Sequence, residues 1–127
     1  MSEPFEIDIA AAELRADARD IPALIDALGT WFEQSVPHLA TVERKRAGLL
    51  DSRKVVTRIT CQVGEQVYTL AREGSGATAR RAKAVRGITL KTETLSLADW
   101  LSELTSALSR EALLAEASFR SLRDLLV

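Results

Sequence analysis

The stretch Val55-Val56-Thr57-Arg58-Ile59-Thr60-Cys61-Gln62-Val63-Gly64-Glu65-Gln66-Val67-Tyr68-Thr69-Leu70-Ala71-Arg72 decides the fold. Its first half is β-branched and alternates in polarity, which places Val55, Ile59, Cys61 and Val63 on one face of a strand. Gly64-Glu65 reads as a two-residue hairpin turn, because glycine takes a positive φ at no steric cost. That turn sets Ile59 opposite Leu70 and Cys61 opposite Tyr68 on the apolar face. On the other face it sets Thr60 opposite Thr69, with Arg58 beside Ala71. One register sorts both faces by polarity, and a slip of one residue would exchange them.

More strands are expected on either side. Residues 39–46 read as an edge strand with a charged end, of the kind that discourages edge-to-edge pairing. A loop through Gly48 and Asp51-Ser52 joins it to the central pair. Beyond the pair, Glu73-Gly74-Ser75-Gly76 turns the chain. Residues 79–93 then form either one long strand or a second hairpin at Arg86-Gly87. In the first case Ala82, Ala84, Ile88, Leu90 and Thr92 share a face with Arg86, and Gly87 marks a bulge. Periodicity leaves both open.

Helices flank the strands. Ile21, Leu24, Ile25, Leu28, Trp31 and Phe32 recur at three- and four-residue steps, an amphipathic helix that Asp20 can cap and that Pro37 follows. Pro22 is tolerated there because it falls in the first turn. Ile7, Ala11, Leu14 and Ala18 predict a shorter helix over 8–19, separated by a break at Pro22. After Ser96, the residues Leu97, Leu101, Leu104, Leu108, Ala112, Ala115, Phe119, Leu122 and Leu126 predict one helix to the C-terminus. It would be a rod of about 46 Å, longer than a compact domain of this size. The expected fold class is therefore α+β. A single domain over residues 1–127 holds a four-stranded (or three-stranded) antiparallel sheet, two N-terminal helices and one long C-terminal helix.

A chain of 127 residues has the length of one domain and buries roughly two thirds of its unfolded surface. An apolar fraction of 46% with 28% charged residues and a mean hydropathy near zero suit a globular protein rather than a disordered one. The lone Cys61 allows no intrachain disulfide, the N-terminal residues are acidic rather than leader-like, and no apolar run is long enough for a membrane span. A cytoplasmic protein with no membrane partner is expected. Thirteen Arg against four Lys, with no Asn, is a usage associated with high-GC bacterial genomes.

The charges are distributed in blocks. Residues 1–40 carry a net −6, residues 41–91 a net +8 and residues 92–127 a net −3. The basic block supplies the expected partner- or phosphate-binding residues Arg44, Lys45, Arg46, Arg58, Arg72, Arg80, Arg81, Lys83, Arg86 and Lys91. Phosphates would be drawn to such a surface with affinity that falls steeply as salt rises. Only Tyr68 is aromatic there, and it is predicted inside, so no stacking platform for single strands is expected.

Other features read as structural. Cys61 alternates onto the apolar face, a core position rather than a nucleophile. His38 is a junction residue, and with Cys61 it leaves too few ligands for zinc. Gly74-Ser75-Gly76 lacks the spacing and the lysine of a phosphate loop. Glu13 and Asp17, near Glu6 and Asp20, interleave with Arg15 and Arg19 as a solvated helix face rather than a cation site. Trp31, Phe32 and Trp100 lie on or beside apolar helical stripes as core. No serine stands in a nucleophile-elbow pattern. Neither a metal nor a cofactor is expected, and no enzyme activity. The oversized C-terminal helix points to a non-enzymatic interaction or adaptor protein, a homo-oligomer with a further protein partner. It would self-associate through Ala112, Ala115, Phe119, Leu122 and Leu126. The alternative is a nucleic-acid-binding protein that uses the basic region 44–91.

Overall fold

The structure, a computed structural model, describes residues 21–110 and 116–126. Helix α1 (Ile21–Ser35) precedes β1 (Ala40–Gly48), β2 (Asp51–Val63), β3 (Gln66–Glu73), β4 (Gly76–Val85) and β5 (Ile88–Leu95); α2 (Leu97–Arg110) and α3 (Glu116–Leu126) follow. The strands form one antiparallel meander in chain order, with β1 and β5 at its edges. The predicted central register holds: Arg58 pairs with Ala71, Ile59 with Leu70, Thr60 with Thr69 and Cys61 with Tyr68.

The fold class differs from the expectation in strand number and in helices. The sheet has five strands, not four, because residues 79–93 form a hairpin. Arg86 and Gly87 both take positive φ, 54° and 80°, the pair of values that joins twisted antiparallel strands in two residues. Pairing of Val85 with Ile88 and of Ala84 with Thr89 on either side holds Arg86 in a conformation that non-glycine residues resist. Ile88 and Leu90, on the edge strand that the hairpin creates, are exposed.

Among the described residues one helix, not two, precedes the sheet; the predicted helix over 8–19 and the Asp20 cap lie outside them. The predicted C-terminal rod is two short helices, α2 and α3. Leu104, Leu108 and Leu122 are all fully buried in one core, and a straight helix would carry Leu122 about 21 Å past Leu108. The apolar stripe continues in sequence, but a core of this size can receive it only folded back.

Helices α1 and α2 cover one face of the sheet. Ile25, Leu28 and Phe32 of α1, with Trp100, Leu101, Leu104 and Leu108 of α2, pack on Ile59, Cys61, Tyr68 and Leu70. Trp100 is the centre of this layer, edge-on to Phe32 at 6.0 Å and to Tyr68 at 6.4 Å, and its indole N–H donates to the Arg80 carbonyl at 3.1 Å. The core face of β2 ends on Val56 rather than Val55. Glu43 pairs with Arg58 but Arg44 with Val56, so Thr57 is an extra residue that reverses the alternation beyond it. No helix of the described residues is long and apolar enough to cross a membrane.

Gly29 is where α1 comes closest to the sheet. A Cβ there would meet Val56 Cγ2 at 2.8 Å and Val42 Cγ1 at 3.2 Å. Gly29→Ala gains about 1 kcal/mol of helix propensity but overpacks a β-branched neighbour at a cost of about 1–3 kcal/mol. A net loss of about 1 kcal/mol is expected in urea unfolding. A gain in stability would mean that α1 is not seated this closely.

Candidate functional site

The sheet's basic residues divide into groups with different partners. Three of the predicted binding residues are held by helix carboxylates. Arg44 makes a bidentate pair with Glu33 of α1, both contacts at 2.6 Å, and this partner holds the Glu33 carboxyl below the usual carboxylate range. Arg72 reaches Asp26 of α1 at 3.1 Å and also donates to the carbonyls of Val56 and Pro22. The Asp26 carboxylate in turn accepts the Val56 N–H at 2.7 Å. Together Asp26 and Arg72 satisfy both backbone groups of Val56, next to the Thr57 bulge and beyond the last pairing with β3. A buried backbone group needs such a partner, so Arg72 is structural. Arg81 bridges Glu93 of β5 and Glu103 of α2.

Arg81 is also one wall of a cleft of about 400 Å³ between the β3–β5 sheet and α2, lined by Gln66, Tyr68, Arg81, Lys83, Lys91, Glu93, Glu103 and Arg110. Cross-strand neighbours Lys83 and Lys91 face each other. Lys91 pairs with Glu93 at 2.8 Å, and with Arg81 it keeps Glu93 below the usual carboxylate range. Burial and the Glu103 charge push the Tyr68 hydroxyl up. The cleft holds four cations against two carboxylates, enough to attract a small anion near Lys83 and Arg110. Its acids are already engaged by cations, which leaves little general-base capacity.

The remaining bases are exposed. Arg58, 4.0 Å from Glu43, and Arg80 lie on the sheet face away from the helices, and Arg86 sits in the β4–β5 turn. The densest group is on the β1–β2 hairpin. Because β3 pairs with β2 only up to Arg58, residues 45–55, beyond the Arg44 and Val56 contacts with α1, form a two-stranded arm with no third strand beside it. Lys45, Arg46, Arg53 and Lys54 on this arm are exposed, and Arg53 alone of the four has an ion pair among the described residues, with Asp51 at 3.4 Å. Arg46 and Lys54 are direct cross-strand neighbours, an arrangement that destabilises a sheet unless an anion lies between them. At the tip, Leu49 and Leu50 are fully exposed.

The sequence reading includes Lys45 and Arg46 among the binding residues and places Arg53 and Lys54 in the same basic cluster without singling them out; Arg110 lies outside that cluster. The same reading assigns no role to Leu49-Leu50, although two leucines in a hairpin turn are a legible anomaly. Of the predicted association residues, Leu122 is fully buried in this chain's own core. Ala112 and Ala115 lie outside the described residues, as do the side chains of Phe119 and Leu126.

Cys61 is buried, and that burial pushes its thiol up to about 12. It is expected to resist a disulfide reagent at pH 8 in the folded protein and to react at once in guanidinium. Fast reaction of the native chain would contradict the core placement. His38 lines a shallow hollow with Pro37, Leu39, Ala40, Thr41, Gln62 and Gly64, among which there is no carboxylate or hydroxyl acid–base partner beyond Thr41. No group of three or more metal-ligating side chains occurs among the described residues. The predicted acidic positions Glu6, Glu13, Asp17 and Asp20 lie outside them. Gly74-Ser75 is the β3–β4 turn, with Gly74 at a φ of 58°.

No protein-family model, curated protein or solved structure matches this chain.

Proposed function

We propose that this is a non-enzymatic nucleic-acid-binding protein whose contact element is the β1–β2 arm. The observation that carries the reading is the group Lys45, Arg46, Arg53 and Lys54, all exposed on a ribbon with no third strand beside it. β-Strands contact duplexes from the major or the minor groove, and exposed bases, of which only Arg53 among these four has an ion pair within the described residues, are available to neutralise phosphates. The helix acids support the reading from the other direction, because they engage Arg44, Arg72 and Arg81 and leave the arm's bases to an external partner.

Four phosphate contacts set the expected salt dependence. The slope of log affinity against log salt should be about −3.6 on duplex DNA, an affinity loss of roughly 150-fold between 50 and 200 mM salt. A mobility shift measured across that range tests it. No retardation of duplex at about 50 mM salt would sink the proposal, since phosphate attraction is strong there.

A further inference from the structure

We infer that Leu49 and Leu50 act as a wedge that enters duplex DNA from the minor groove, parts a base step and bends the duplex. The inference rests on the proposed nucleic-acid binding. The other three hairpin turns, Gly64-Glu65, Gly74-Ser75 and Arg86-Gly87, each contain a glycine at positive φ and a charged or hydroxyl neighbour. Leu49-Leu50 has neither feature, and neither leucine takes positive φ. Turn geometry does not call for leucine, and both side chains stand fully in solvent. Their surroundings define what would cover them. Arg46 lies three residues before the tip and Arg53 three after it, with Lys45 and Lys54 one step further back.

At about 3.3 Å per residue the two arginines stand about 10 Å behind the leucines. The minor groove is about 7.5 Å deep, so a tip at its floor leaves the guanidiniums level with the phosphates of the rims. Strands about 4.8 Å apart with their side chains are too wide for a groove of about 6 Å. Entry therefore requires the groove to open, which unstacking and kinking accomplish. A lipid headgroup layer, about 5–7 Å thick on each side of a bilayer, is shallower than this spread of charge.

The test uses the full chain and a short duplex with donor and acceptor dyes at its ends. Wild type should retard the duplex and raise energy transfer at saturation. Leu49→Ser with Leu50→Ser, changes in an exposed turn that should leave the melting curve unmoved, should weaken binding about tenfold and abolish the rise in transfer. Leu49→Met with Leu50→Met should restore it. Retardation by wild type without bending, or undiminished bending by the serine variant, overturns the wedge while the proposed function stands. Absence of retardation overturns both. Leucine-dependent co-sedimentation with phosphatidylserine vesicles, in a protein that does not retard duplex, would assign the tip to a membrane surface and also overturn the wedge.

Discussion

Trp100→Ala should cost about 4 kcal/mol of folding stability, the largest loss expected from a single substitution in this core. Large aromatic-to-alanine changes at fully buried sites cost about 3–5 kcal/mol, through lost burial and the cavity that remains. Three further features place Trp100 at the upper part of that range. It is completely buried. It is edge-on to both Phe32 and Tyr68, so it joins α1, α2 and the sheet. Its indole N–H donates to the Arg80 carbonyl in a partly buried contact, and losing that bond adds to the cost. Small domains have only about 5–15 kcal/mol in total. With a urea slope of about 1–3 kcal/mol per molar, the midpoint should fall by roughly 2 M. Circular dichroism is the suitable probe, since Trp31 complicates fluorescence. Trp100→Phe should recover much of the loss. An alanine variant with an unchanged midpoint would mean that this three-ring contact does not organise the core.

Reversing the arm's charge should have the largest effect on binding and almost none on folding. In the variant with Lys45→Glu, Arg46→Glu, Arg53→Glu and Lys54→Glu, all four contacts are removed and replaced by repulsion. The expected loss of duplex affinity is about a thousandfold at 50 mM salt, with the salt slope reduced by about 3.6. Exposed substitutions of this kind change stability by about 0.5 kcal/mol or less each, so the melting temperature should move little. Arg58→Glu with Arg80→Glu, Lys83→Glu and Arg86→Glu is the matched control, since these four bases are also exposed but lie outside the arm. Equal losses in the two variants would show diffuse attraction to positive charge rather than binding by the arm. No loss in the arm variant would remove the arm from the interface.

These two expectations separate what was readable in the chain from what was not. The alternation from Ile59 to Val63, the glycine turn and the match of Cys61 with Tyr68 are local relations. Period and turn chemistry dictate them before any tertiary contact forms. The amphipathic periods of α1 and α2, with Phe32 and Trp100 inside, were legible for the same reason. The Arg86-Gly87 hairpin was only half legible, because a strand with a bulge and a tight turn share the same residues there.

Elsewhere the local pattern was silent. Thr57 is extra only because β1 supplies no partner for it, so the shift of the core face from Val55 to Val56 depends on pairing between strands. The periodicity that runs from Leu97 to Leu126 is continuous, and only the size of the core shows that the helix must divide. Most of all, Arg44, Arg72 and Arg81 are indistinguishable in sequence from Lys45, Arg46 and Lys54. Which of them meets a carboxylate is set by where α1 and α2 lie across the sheet. Side-chain periodicity is a property of the backbone, and the sequence by itself therefore determined the register of the central β2–β3 pair and the apolar faces that flank its turn. Charge pairing depends on element lengths and crossings over distances that no local pattern encodes, and only the tertiary structure decided which bases are held by helix carboxylates and which are left on the arm.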